Sequence, residues 1–192
     1  NHEVWTAAHL PGRAGMGATL TALYLHGTAV HIAEVGDSRA YVLRGGELLQ
    51  VTRDQSYVQF LVDSGAMTPD QAAIAPLRNV IMQAMGQKAD VSVALGQLEL
   101  RERDCFWLCS DGLSNMVSAD EMRQVILASP SLDAACGTLI EFAKQRGGDD
   151  NITVLIGGVS GGLPALVAGE TIADTLEILQ EARTPLLGTG TA

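Results

Sequence analysis

The sequence predicts an α+β protein built on antiparallel sheet. Three observations carry that expectation. Apolar segments and glycine turns crowd into residues 19–51, too closely spaced for the crossover helices that a parallel sheet requires. Helical patterns with good capping residues gather later, over 118–146. Between them, Cys105-Phe106-Trp107-Leu108-Cys109 is too short for an ordinary helix and rich in residues that suit sheets.

Taken in order, residues 1–10 read as the end of a helix, with Val4, Trp5, Ala8 and Leu10 on one side and Pro11-Gly12 as its stop. Two strands follow, over 19–25 and 29–35, turning at His26-Gly27. Gly36-Asp37-Ser38-Arg39 interrupts the pattern. Ala40-Tyr41-Val42-Leu43 resumes it, and Gly45-Gly46 turns the chain into Leu48-Leu49-Gln50-Val51. Four strands at this spacing predict an antiparallel meander.

From Thr52 the period becomes helical, with Val58, Leu61 and Val62 on one side and Gly65 as the stop. Thr68-Pro69-Asp70 opens a second short helix that Pro76 ends, and residues 77–86 fit helix or turn equally. Val91–Leu95 alternates as a strand, and the run 105–110 delivers Asp111 to a turn that Gly112 permits. Ser118 caps a helix to about residue 128, and Ser131 or Asp133 caps another to about Arg146, with Ala135, Leu139, Ile140 and Phe142 on its apolar side. Ile152–Ile156 is the next strand. Gly157–Gly162 reads as a linker. Residues 170–183 suggest a helix through Ile172, Leu176 and Leu179, and the last nine residues are expected to be frayed.

The length, 192 residues, suits one domain, or one with an appendage. With 47% hydrophobic and 18% charged residues a sizeable core can form, and the composition argues against global disorder. The net charge of −10, without a block of Lys or Arg, argues against nucleic acid or an anionic membrane as partner. No uninterrupted apolar run approaches the roughly 20 residues of a membrane helix. Cys105, Cys109 and Cys136, an odd number with no C-x-x-C, read as reduced core residues of a cytoplasmic protein. Trp107 reads as core, and His2, His9, His26 and His31 as surface or strand residues.

Three acidic turns carry the chemistry: Asp37 in Val35-Gly36-Asp37-Ser38-Arg39, Asp111 in Ser110-Asp111-Gly112, and Asp150 in Gly148-Asp149-Asp150-Asn151. Carboxylates gathered from strand ends suit hard divalent cations such as Mg²⁺ or Mn²⁺. Aspartate is also an ordinary turn residue, so spacing alone leaves both meanings open. Arg39 is expected to pair with a nearby acid or backbone carbonyl, or to touch phosphate.

The motifs as an ordered set go further. Gly15-Met16-Gly17-Ala18-Thr19, Val35-Gly36-Asp37-Ser38-Arg39-Ala40-Tyr41, Thr52-Arg53-Asp54-Gln55-Ser56, Ser110-Asp111-Gly112-Leu113 and Gly148-Asp149-Asp150-Asn151-Ile152-Thr153 resemble the metal-dependent serine/threonine phosphatases of the type 2C (PPM) family in their bacterial form. The resemblance covers residues 1–158 and implies a β-sandwich of two antiparallel sheets flanked by helices, with residues 159–192 as linker and tail. It implies two core Mn²⁺ or Mg²⁺ ions and a third, weaker one. It also implies attack of a metal-activated water on phosphoserine or phosphothreonine proteins, the substrates of a cognate Ser/Thr kinase. By motif, Asp111 and Asp150 resemble core ligands, and Asp37 resembles the position that holds the third ion with Asp111. Residues 54–80 resemble the flap beside the site.

Three features depart from the family pattern. Gln55 stands where members often carry His, and Asn115 where another acid is common. The Arg, the acidic segment and the Asp-Gly motif that supplies the bridging aspartate have no counterpart before residue 15. Three explanations stay open: a fragment of a longer product, a short form acting as a non-catalytic binding or regulatory module, or elements supplied by another chain. The expectation is that this chain alone turns over little phosphosubstrate.

Overall fold

The first two hairpins of the sequence form where the turns predict them, and they enter different sheets. In the computed structural model, which describes residues 1–183, helix α1 (His2–Ala8) precedes strands β1 (Leu20–His26) and β2 (Ala29–Val35). These two pair antiparallel from Leu20↔Val35 to His26↔Ala29. Strands β3 (Arg39–Arg44) and β4 (Glu47–Gln50) form the second hairpin. The single meander expected from the spacing is therefore corrected: β2 does not pair with β3, because the chain crosses between sheets at Gly36-Asp37-Ser38. Gly36 sits at φ 114°, and a Cβ there would lie 2.4 Å from Thr19 Cγ2, so the crossing requires glycine.

Each hairpin is extended by later strands. β5 (Ser92–Glu99) and β8 (Leu176–Arg183) complete a sheet of order β1-β2-β5-β8; β6 (Cys105–Cys109) and β7 (Val154–Gly158) complete β4-β3-β6-β7. Val30, Ile32 and Leu98 of the first sheet meet Val42 and Phe106 of the second in the inter-sheet core. Alternation along β6 sends Trp107 and Cys109 to the opposite face. There they pack with Met122 of α5 (Ala119–Ala128) and with Leu139 and Ala143 of α6 (Leu132–Gln145). Ser118 and Glu121 close a capping box on α5, and the Ser131 side chain caps α6. The result is the expected sandwich of two antiparallel sheets with helices against it.

The C-terminal expectation needs a second correction. Residues 170–183 form a 3-10 turn (Ala173–Thr175) and then β8, not a helix. Ile172 is fully buried in the inter-sheet core, and Leu176 faces Leu98 across the β5–β8 pairing. Apolar positions at 172, 176 and 179 fit a helix face just as well. The open edge of β5 decides the outcome, because a strand there satisfies backbone groups that a helix would leave unpaired. The buried Arg44 binds Asp104 through Nε and Nη2 and donates from Nη1 to Thr175 Oγ1 (2.6 Å), while Arg101 pairs with Glu170 (2.6 Å). The segment after Gly158 thus returns to the sandwich. The nine terminal residues expected to be frayed lie outside the described residues. Among the described residues no helix is long and apolar enough to cross a membrane.

Candidate active site

The pairing register gathers the acidic turns. Arg39 lies opposite Cys109, and Cys109 opposite Val154, so β3 begins, β6 ends and β7 begins at one end of the second sheet. Asp37 precedes β3, Asp111 follows β6 and Asp150 precedes β7. The expected turn at Asp111-Gly112 is instead the start of a short helix, α4 (Asp111–Ser114).

Asp37 and Asp111 line one cleft of about 360 Å³. Burial, then the neighbouring carboxylates of Asp111 and Asp54, push the Asp37 carboxyl up to about 6. Asp150 stands apart: it does not line the cleft, and its Oδ1 accepts from its own neighbour, Asn151 N–H (2.6 Å). Its turn nevertheless presses on the start of α4. A Cβ on Gly112 would lie 2.5 Å from Asn151 O, and Ser110 Oγ donates to Asn151 O (2.9 Å) and accepts from Thr153 N–H (3.0 Å). The structure therefore brings Asp37 and Asp111 together and leaves the Asp150 carboxylate in its own turn.

The loop after β4 fixes the crossover loop that carries Asp37. Gln55 N–H donates to Gly36 O (2.8 Å), and Gly36 N–H donates to Gln55 Oε1 (2.8 Å). Ala40 N–H donates to Thr52 Oγ1 (3.0 Å). Arg39 grips Asp54 with Nε on Oδ1 (2.9 Å) and Nη2 on Oδ2 (2.7 Å), which is the acid partner expected for it. Burial opposes the Arg39 charge, but the bonds to Asp54 outweigh it and hold the guanidinium pKa above its usual value. Gln55, where the resembling family often has His, thus serves as a loop tie.

The far wall of the cleft comes from α2 (Tyr57–Asp63) and α3 (Pro69–Ala73), the segment expected to act as a flap. Val58, Val62 and Ala72 give that wall an apolar surface, and Arg78 adds a second guanidinium to the lining. Sequence reasoning singled out neither Asp54 nor Arg78 as site residues. The opposite charges of Arg39 and Asp54, flanking one tight hairpin, were the available signal for the first; Arg78 lies in the stretch whose local pattern was ambiguous.

Asp37 and Asp111 suit a hard cation in kind, since oxygen donors held against mutual repulsion are relieved by positive charge. In number they do not complete a shell: among the described residues no group of three or more His, Cys, Asp or Glu is placed to hold a metal ion. Asn115, a neutral amide, lines the same cleft.

No family model matches the chain. The serine/threonine protein phosphatase PstP of Mycobacterium tuberculosis is 44% identical over 149 residues, which is 78% of this chain and 29% of PstP. The crystal structure of the M. tuberculosis serine/threonine phosphatase PstP/Ppp matches with a TM-score of 0.77 at 38% identity, over 83% of this chain and 68% of that one. The chain belongs to the PPM family of serine/threonine phosphatases. A second PPM structure, the PstP catalytic domain in complex with two manganese ions, matches at 37% identity with a TM-score of 0.74, over 83% of this chain and 66% of that one. The chain spans less than a third of the full-length PPM relative PstP.

Proposed function

We propose that this chain is part of a protein serine/threonine phosphatase that hydrolyses phosphoserine or phosphothreonine in proteins modified by a cognate kinase. The observation that carries the reading is the facing pair Asp37 and Asp111 in a cleft walled by α2 and α3. Asp37 and Asp111 would share one Mn²⁺ or Mg²⁺ ion, and Asp111 and Asp150 would be ligands of the core pair. Bound there, such an ion supplies a water acidic enough to act as nucleophile near neutral pH. The chain's own residues do the positioning: Asp54 aims Arg39, Gln55 and Gly36 hold the Asp37 loop, and the Gly112–Asn151 approach fixes the Asp150 turn against α4. A cytoplasmic location suits three free cysteines, Cys105, Cys109 and Cys136.

Mn²⁺ titration by calorimetry, run beside phosphate release from a phosphothreonine peptide, tests the reading. Mn²⁺ binds the chain, Asp111→Asn weakens that binding at least about tenfold through loss of a charged oxygen ligand, and turnover by the chain alone is low. Binding unchanged in Asp111→Asn overturns the assignment. A second reading, a non-catalytic module of the same fold, is favoured because the third acid lining the cleft, Asp54, is held by Arg39, and among the described residues no group of three such side chains is placed to hold a metal ion. Two tight Mn²⁺ sites in the longest natural chain would exclude it.

A further inference from the structure

Glu34 breaks the rule that interiors of a sandwich are apolar. It follows Val30 and Ile32 on the inward face of β2, yet it carries a carboxyl and is only 2% exposed. One oxygen is accounted for, because Arg53 N–H donates to Oε2 (3.0 Å). The other, Oε1, is buried without a hydrogen-bond partner among the described residues. Leaving a buried polar atom unmatched is unfavourable by about 1–3 kcal/mol, so its retention points to a ligand.

The space it faces is built by the register. Ala94 lies opposite Glu34 and Gly96 opposite Ile32, so the neighbouring strand presents its smallest side chains at the two positions where bulk would fill the interior. A cavity of about 270 Å³ results, with Leu176 and Ile178 of β8 on its far side. Ile178 is 72% exposed and marks the mouth; Glu34 lies at the back. Gln50, Thr52 and Arg53 also line the cavity, with the Arg53 guanidinium paired to Asp63, so the passage is apolar at its entrance and carries the Glu34 carboxyl at its end. Asp54 and Asp37 lie near enough to add negative potential there, offset in part by Arg39. An ammonium on an aliphatic stem matches that order of surfaces: the stem lies along Leu176 and Ile178, and the head donates to Oε1 as Glu34 releases its proton to solvent, so that the buried ammonium is paired with a carboxylate.

We propose that the Glu34 cavity is a binding site for a primary aliphatic amine, separate from the Asp37–Asp111 cleft. The shared chemistry belongs to a free diamine or to a lysine side chain on a peptide. The site opens beside β8, not beside α2 and α3, and it does not depend on the phosphatase reading.

The test is methyl NMR of the full 192-residue chain, titrated with n-pentylamine at pH 9, where the raised Glu34 carboxyl begins to ionise, with n-pentanol as the neutral isostere. Saturable shifts confined to Ile32, Leu176 and Ile178 are expected for the amine, with pentanol at least tenfold weaker. Glu34→Gln, which keeps the size and an acceptor for Arg53 N–H, weakens the amine at least tenfold. Ala94→Leu, which fills the cavity, abolishes the shifts, while Glu141→Gln, an exposed acid on α6, leaves them unchanged. Cadaverine and the peptide Gly-Lys-Gly then distinguish the two sources. Equal binding of pentanol, unchanged affinity in Glu34→Gln, or shifts spread over the surface, as solvent filling and diffuse charge attraction would give, overturn the proposal.

Discussion

Glu34 gives the fold a pH dependence opposite to that of a salt-bridged acid. Burial raises its carboxyl to about 9 from an ordinary 4.5, against the pull of Arg53 N–H and with the help of Asp54 and Asp37. The folded chain therefore keeps a proton that the unfolded chain releases. The stability that this supplies is full below pH 4.5 and declines as pH rises towards about 9. Urea midpoints at pH 5, 7 and 9 should fall for the native chain and fall less steeply for Glu34→Gln, which cannot ionise. Gly36 is the other residue with a sharp expectation. Gly36→Ala must place a Cβ 2.4 Å from Thr19 Cγ2 at a φ of 114°, so it should lower stability by about 2–3 kcal/mol. The same urea titration checks this, and a loss within error would mean that Thr19 yields freely.

At the scale of elements, β8 is the part that the sequence concealed. Ile172→Ala should cost about 2–5 kcal/mol, the range for emptying a buried aliphatic site, although it lies in a stretch that reads as linker and tail. A change under 0.5 kcal/mol by denaturant titration, the size usual for exposed positions, would show that β8 does not dock. Ser118→Ala should cost about 1 kcal/mol through loss of the α5 cap. These two cases explain what was legible. The α5 cap, the hairpin glycines and the alternation of 105–109 are local, and local sequence specifies them. Which sheet each hairpin enters depends on the Gly36 crossing, and whether 176–183 is strand or helix depends on the free edge of β5; both are decided by distant partners. Asp37 and Asp111 were legible because strand ends deliver them. Asp54 owes its place to a bidentate grip by Arg39 across a hairpin, a pairing that the opposite charges flanking the hairpin allow and the fold completes.

For the molecule as a whole, the net charge of −10 sets the long-range attraction of cations. Mn²⁺ affinity should fall several-fold between low salt and about 0.5 M NaCl, where the screening length shrinks below about 5 Å. Calorimetry at the two ionic strengths checks this, and a salt-independent affinity would place the ion in a desolvated pocket instead of the open cleft. The crossover at Gly36 has a mechanical consequence as well. Asp111 is carried by the second sheet alone, whereas Asp37 sits on the segment that belongs to both. Any sliding of one sheet over the other therefore changes the gap between the two carboxylates. Packing between the sheets, at Ile32 or Phe106, would then act as a remote adjustment of the proposed cation site, and a substitution there would retune it without touching it.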